Sequence, residues 1–212
     1  LKQNVTIIVI KIIKNSNNMA LSKNIKNSIS EIVPKKKIGI AFSGGVDSTL
    51  VSKICSDMGF DVVLLTIGFS ESHDILFSKE VNEFLKYSHH ILEIDGETFP
   101  TITSNIRNVI DTDNLSWNEN CIAFHYVSKL AKSLNLDTVI TGNGIDELFC
   151  GYNAYREAFI GGQTKINEVM DAKLENELNE IKKMPLFKKG GVKGGLIVEK
   201  KNSREYPLNK IA

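Results

Sequence analysis

Residues 43–48, with the sequence SGGVDS, combine two adjacent glycines, two serine hydroxyls and one carboxylate. Glycines let a backbone approach an anion closely and aim its amides at that anion. A helix that begins directly after such a turn adds unpaired N–H groups and the positive end of its dipole. The segment therefore predicts a cradle for phosphate or pyrophosphate.

The carboxylate of Asp47 limits what this cradle can bind. It would repel a phosphate unless a cation lies between them, and a Mg2+ ion that bridges both groups resolves the conflict. The segment lacks the Gly-Lys-Ser/Thr of the Walker loop, so transfer of a terminal phosphoryl group is not implied. One alternative stays open, in which the glycines form a plain turn and Asp47 caps the helix.

A second glycine-rich segment, residues 141–152, reads TGNGIDELFCGY and follows another apolar run. Its glycines and the hydroxyl of Thr141 again suit the close approach of a nucleotide. Asp146 offers a second carboxylate that could complete a metal site with Asp47. The alternative is an ordinary strand-to-helix turn whose acidic residues favour the first turn of the helix.

These two segments, about a hundred residues apart, resemble the paired motifs of the asparagine synthetase family within the PP-loop ATP pyrophosphatases. Family members typically read SGGxDS and SGEGxDExFGGY. The resemblance covers roughly residues 36–180. It implies an adenine-nucleotide-binding fold in which ATP activates a carboxylate as the acyl-adenylate, pyrophosphate is released, and ammonia then forms an amide.

The resemblance also implies a role for individual residues. It assigns the pyrophosphate to five residues of the first turn, namely Ser43, Gly44, Gly45, Asp47 and Ser48. It assigns adenine and ribose to the ends of three strands, namely Ala41 or Phe42, Ile67, and Thr141 with Gly142. It makes Asp47 and Asp146 the Mg2+ ligands and the catalytic residues. Residues 117–120 (WNEN) begin a helix where the family places substrate-facing groups, although a capped helix start explains them equally.

The sequence departs from the family in three ways. The glutaminase with its leading cysteine is not found here, so we expect nitrogen from free ammonia or a separate glutaminase. Asn143 stands where the family has glutamate, which removes or relocates a proton-handling role. Residues 185–212 do not resemble the later helices of the family. We therefore expect this chain to bind nucleotide better than it turns over.

Our first functional hypothesis is ATP-dependent amide formation, with aspartate as the expected substrate and AMP and pyrophosphate as products. One alternative is a PP-loop enzyme that modifies tRNA, which the basic ends of the chain favour. The cysteines Cys55, Cys121 and Cys150 form no CxxC pair, which counts against sulfur chemistry and against a disulfide framework. The other alternative is a non-catalytic remnant that binds ATP or AMP.

The elements that must position these residues alternate along the chain. Apolar runs predict strands over residues 38–42, 62–67, 89–94 and 138–141, with helical stripes between them. This order predicts an α/β fold, a three-layer doubly wound parallel sheet of the adenine nucleotide alpha hydrolase type. In such sheets the ligand binds at the carboxyl ends of the strands, which is where both glycine-rich turns fall.

Composition divides the 212 residues into an acidic centre and basic ends. We expect an N-terminal extension over 1–35, a PP-loop domain over 36–184 and an irregular basic tail over 185–212. Residues 1–18 are expected to be dispensable, because the apolar run Val5–Ile13 lies outside the alternating pattern. That run is too short to span a bilayer. We expect a cytoplasmic protein with neither a membrane nor nucleic acid as partner, and its oligomeric state stays open.

Overall fold

The computed structural model describes residues 6–9, 18–33, 36–111, 113–143, 145 and 210–211. Its strands are β1 (Thr6–Val9), β2 (Lys37–Ala41), β3 (Asp61–Gly68), β4 (Ser88–Glu93), β5 (Thr138–Thr141) and β6 (Lys210–Ile211). Its helices are α1 (Asn18–Ile32), α2 (Val46–Asp57), α3 (His73–Leu85), α4 (Phe99–Ile110) and α5 (Leu115–Ser133). The bounds of β2, β3, β4 and β5 lie within one residue of the ranges that the sequence predicted.

The strands form one sheet in the order β4-β3-β2-β5-β1-β6. All pairings are parallel except that of the two-residue strand β6 with β1. In the centre, Ile40 of β2 lies opposite Leu64 of β3 on one side and Ile140 of β5 on the other. β2 and β5 are thus neighbours in the sheet although they are distant in sequence, and the turns that follow them emerge side by side.

Helices cover both faces of this sheet. Side chains alternate across a strand, so successive residues of β3 point to opposite faces. Val62 and Leu64 pack in one cluster with α1 and α2, whereas Val63 and Leu65 pack in a second cluster with α5. These two cores on either side of one sheet confirm the predicted three-layer α/β class.

The N-terminal segment differs from its prediction. β1 pairs in parallel with β5, with Thr6 opposite Thr138 and Val9 opposite Thr141. α1 adds Ile25 and Ile29 to the buried core, and Val33 follows directly after the helix. The expectation that the apolar run Val5–Ile13 lies outside the alternating pattern was therefore wrong, because an apolar run pairs readily with the edge that a buried strand such as β5 would otherwise expose.

Two apolar residues of the helical stripes between the strands are exposed. Leu50 of α2 is 46% exposed and Phe84 of α3 is 83% exposed. In α3 the buried face is set by Ile75 and Ser78, and a helical period of 3.6 places Phe84 away from it. The predicted helix over 166–181 and the boundary at residue 184 lie outside the described residues. None of the helices in the described part of the chain is long and apolar enough to cross a membrane.

Candidate functional site

The first glycine-rich turn leaves β2 and leads directly into α2. Gly44 has a φ of +82°, a conformation that glycine adopts far more readily than other residues. A Cβ at Gly44 would lie 3.0 Å from Cδ1 of Phe77 and 3.2 Å from the carbonyl oxygen of Phe77. Gly45 has an extended backbone and is the N-cap of α2, so the first backbone N–H groups of the helix come directly after the turn.

Three side-chain hydrogen bonds hold the shape of this turn. The hydroxyl of Ser48 donates to the Gly45 carbonyl at 3.1 Å, and that of Thr49 donates to the Gly44 carbonyl at 3.2 Å. The backbone N–H of Gly45 donates to the hydroxyl oxygen of Ser43 at 3.3 Å. The hydroxyl oxygens of Ser43 and Ser48 lie 3.5 Å apart. The turn is therefore fixed before any ligand arrives.

The second turn packs against the first at Gly142. A Cβ at Gly142 would lie 3.0 Å from Cβ of Asp47 and 3.3 Å from the backbone nitrogen of Ser48. The buried Thr141 accepts a hydrogen bond from the backbone N–H of Asn143 at 3.3 Å. The end of β5 thus lies directly on the first turn of α2, and a larger residue at position 142 would push the two segments apart.

An open cavity of about 430 Å³ lies between these turns. The predicted residues that line it are Ala41, Phe42, Ser43, Asp47, Ser48, Ile67, Thr141 and Gly142. Gly44 and Gly45 shape the turn but are not among the lining residues. Asp146, the predicted second carboxylate, lies outside the described residues.

Most of the remaining lining residues come from helices that the motifs do not include. Asn120, Ala123, Phe124 and Val127 line the cavity from α5, Asp74 lines it from α3, and Leu65 of β3 and Asn143 of the second motif complete the lining. The α5 residues follow the i, i+3, i+4, i+7 spacing of one helix face, a signal that the sequence did carry. Asn120 was among the residues expected to face a substrate. Nothing in the sequence marks Asp74.

The cavity is lined by both polar and apolar side chains. Ser43, Asp47 and Ser48 lie at or just before the start of α2, whereas the apolar Leu65 and Phe124 share the lining with Asp74 and Asn120. This mixed lining suits a ligand that has both a charged part and a flat apolar part. The described residues contain no cluster of three or more His, Cys, Asp or Glu side chains able to hold a metal. Mg2+ needs only one or two protein carboxylates beside phosphate and water, so Asp47 fits that requirement.

A buried hydrogen-bonded group lies behind the first turn. Thr66 of β3 is 1% exposed, and its hydroxyl donates to the Phe42 carbonyl at 2.6 Å. The same oxygen lies 2.8 Å from Nε2 of His89 on β4. The pKa of His89 is lowered from its usual value of 6.5 mainly by burial, and to a smaller extent by the positive charges that His90 and Lys79 can carry nearby. The imidazole is therefore neutral near pH 7.

The asparagine synthase family model matches residues 21–204 of the chain. A putative glutamine-hydrolysing asparagine synthetase 1 of Methanocaldococcus jannaschii is 29% identical over 140 residues, or 66% of this chain and 26% of that protein. The glutamine-hydrolysing asparagine synthetase 2 of Oryza sativa subsp. japonica is 26% identical over 143 residues, or 63% of this chain and 24% of that protein.

The chain thus spans about a quarter of the length of the curated relatives it matches. Among solved structures, NMN synthetase from Francisella tularensis is similar with 17% identity and a TM-score of 0.46. That likeness covers 65% of this chain and 60% of the other. The match over residues 21–204 is the finding that assigns the family.

Proposed function

This chain belongs to the asparagine synthase family, and we propose that its cavity binds Mg-ATP for amide formation on a carboxylate substrate. One observation carries the proposal: two glycine-rich turns, from distant parts of the sequence, meet at a single cavity lined by both polar and apolar side chains. A nucleotide, with charged phosphates and a flat base, is a ligand of that kind. The family match supports this assignment.

The first glycine-rich turn and the start of α2 would hold the phosphates. The amides at the start of α2 face the turn, and the hydroxyls of Ser43 and Ser48 lie on the cavity. Gly44 and Gly45 allow the backbone to come close to an anion there. Adenine and ribose would lie along the strand ends, against Phe42, Ile67, Thr141 and Gly142.

Asp47 is the proposed Mg2+ ligand and catalytic residue of the described region, and Asp146 is the proposed second one. Asp47 sits in the first turn of α2, next to the proposed phosphate site. When bound, Mg2+ neutralises the charge that builds on the leaving pyrophosphate. The carboxylate of Asp47 alone would repel the phosphates, so nucleotide binding through this site should require the metal.

In the proposed reaction the substrate carboxylate attacks the α-phosphorus of ATP, and the bond to pyrophosphate breaks. Ammonia then attacks the acyl carbon of the resulting acyl-adenylate, AMP leaves, and the amide remains. Aspartate is the proposed substrate, and the nitrogen would come from free ammonia or a separate glutaminase. The chain's own groups orient the reactants, a contribution that can supply much of the rate.

Asn143 favours binding over turnover. It lines the cavity, where an amide side chain can donate and accept hydrogen bonds but cannot transfer a proton at neutral pH. Loss of one positioned acid–base group typically slows a reaction by about 100- to 10,000-fold. We therefore propose measurable ATP binding with slow amide formation, and Asn143→Glu should raise the rate of pyrophosphate release.

Calorimetric titration of the full chain with ATP or GTP, in Mg2+ or in EDTA, tests the binding site. Asp47→Ala/Ser48→Ala should weaken ATP binding about tenfold or more, because charge-assisted bonds are lost. Ser56→Ala/Asp57→Ala, at the other end of α2, is the matched control and should change affinity less than about twofold. Equal ATP affinity in the unmodified chain and the Asp47/Ser48 variant would contradict the proposed site.

Pyrophosphate release with ATP, aspartate and ammonia tests the reaction separately. Release that requires both aspartate and ammonia would support amide formation. ATP binding without any release, also in Asn143→Glu, would favour a non-catalytic nucleotide-binding protein, the second candidate that Asn143 suggests. Release that instead requires tRNA would contradict the proposed substrate class.

A further inference from the structure

We propose that His89 is a positioning residue of the nucleotide site. It holds the Thr66 hydroxyl, which in turn holds the Phe42 carbonyl at the entrance to the 43–48 turn. This role rests on the proposed function, because its effect is seen through ATP binding. His89 itself is not among the residues that line the cavity.

The direction of each hydrogen bond follows from the donors that are present. A threonine hydroxyl has one proton and two acceptor positions. Thr66 donates that proton to the Phe42 carbonyl oxygen at 2.6 Å. Toward His89, at 2.8 Å, the same oxygen can only accept, so Nε2 of His89 is the N–H donor. His89 thereby fixes the rotation of the hydroxyl that holds Phe42.

Phe42 is the last residue before the glycine-rich turn, and both of its backbone groups are tied to β3. Its N–H donates to the Leu65 carbonyl at 2.9 Å, and its carbonyl accepts from Thr66. The rings of Phe42 and His89 meet edge to face, with centroids 5.8 Å apart. Phe42 and Ser43 both line the cavity. Loss of the His89 bond should therefore loosen the point at which the turn begins.

His90, the adjacent residue of β4, provides the control. Its Nε2 lies 3.3 Å from the hydroxyl of Ser88 in an exposed contact, and successive strand residues point to opposite faces. His90 does not line the cavity. Substitution of His90 therefore changes a histidine of the same strand without touching the Thr66 hydroxyl.

The experiment compares two amide side chains at position 89 in the full chain, with ATP affinity in Mg2+ and thermal unfolding as readouts. Glutamine carries an amide N–H as many bonds from Cβ as Nε2 of histidine, whereas asparagine ends one atom short. His89→Asn should weaken ATP binding about fivefold, and His89→Gln should restore most of it. His90→Asn should change affinity less than about twofold.

Thr66→Val gives an independent measurement, because it removes the hydroxyl while keeping the shape of the side chain. It should weaken ATP binding at least as much as His89→Asn, and adding His89→Asn to it should cause no further loss. This non-additivity distinguishes a shared path from two separate packing defects. If His89→Asn does not fold, Thr66→Val keeps the role testable, because an ATP affinity in Thr66→Val equal to that of the unmodified chain would overturn it.

The outcomes separate the two proposals. If the unmodified chain does not bind ATP, the proposed function fails and the role of His89 fails with it. If the unmodified chain binds ATP but His89→Asn weakens binding no more than His90→Asn, only the role of His89 is overturned. Equal losses in His89→Gln and His89→Asn would also overturn it, because the bond to Thr66 would then be irrelevant.

Discussion

Gly44 and Gly59 provide a matched test of how the first glycine-rich turn depends on close packing. Their φ angles are nearly identical, +82° and +83°. A Cβ at Gly59 would meet nothing within 4 Å, whereas one at Gly44 would lie 3.0 to 3.2 Å from side-chain and backbone atoms of Phe77. Alanine at either position has the same backbone strain, but only Gly44→Ala adds a steric conflict.

The expected magnitudes follow from these two costs. An alanine in the left-handed region costs about 1 kcal/mol, which is the whole expected effect of Gly59→Ala. Overpacking a filled site adds about 1–3 kcal/mol, so Gly44→Ala should lower the free energy of unfolding by about 3 kcal/mol. At roughly 3 °C per kcal/mol for a chain of this size, the melting temperature should fall by about 3 °C and about 9 °C respectively.

The assay is thermal unfolding of both variants, with ATP titration in Mg2+ alongside. Gly44→Ala should also weaken ATP binding about tenfold or more, because the turn must move away from the helix that carries Phe77. Phe77→Ala should rescue Gly44→Ala only in part, since the Phe77 carbonyl oxygen at 3.2 Å remains. Equal losses of stability in Gly44→Ala and Gly59→Ala would refute the reasoning from close approach.

Three further predictions concern the scaffold. Because the pKa of His89 is lowered in the folded chain, the unfolded chain binds a proton at His89 at a higher pH than the folded chain does. The free energy of unfolding should therefore fall as the pH drops from about 6.5 toward the folded pKa. Thermal unfolding at pH 7.5, 6.5 and 5.5 should show a smaller fall in melting temperature for His89→Gln than for the unmodified chain. Burial raises the pKa of the Cys55 thiol to about 12, so in a Cys121→Ser/Cys150→Ser background a thiol reagent should modify Cys55 only when the chain unfolds. Deletion of residues 1–9 should lower the melting temperature, because it exposes the edge of β5; an unchanged value would show that β1 adds nothing to the fold.

The core strands could be predicted from the sequence because their pattern is local. Residues 38–42 and 62–67 are nearly continuous apolar runs, which is typical of strands buried on both faces. The turn after β2 was equally readable, since its glycines and hydroxyls are adjacent in the chain. Both features depend on neighbours within about ten residues, where sequence patterns carry most of their information.

The remaining features depend on contacts between distant segments. The wall from α5 follows a helical period, but the period alone does not tell whether a face meets the sheet or a ligand. Asp74 reaches the cavity only because α3 begins beside the end of β3. The bond from His89 to Thr66 joins residues 23 positions apart on adjacent strands. A strand order is needed before any of these can be inferred.

The strand order also explains why residues of the two glycine-rich turns line the same cavity. β2 and β5 are neighbours in the sheet, so their carboxyl ends release the two turns at the same point. Gly142 then packs on Asp47 so closely that a Cβ would lie 3.0 Å from its Cβ. Asp47 can remain beside the proposed phosphates only if position 142 has no side chain. A change at the second turn should therefore disturb the first, because the two motifs constrain each other through the direct packing of Gly142 on Asp47 and Ser48 in addition to their proposed contacts with the ligand.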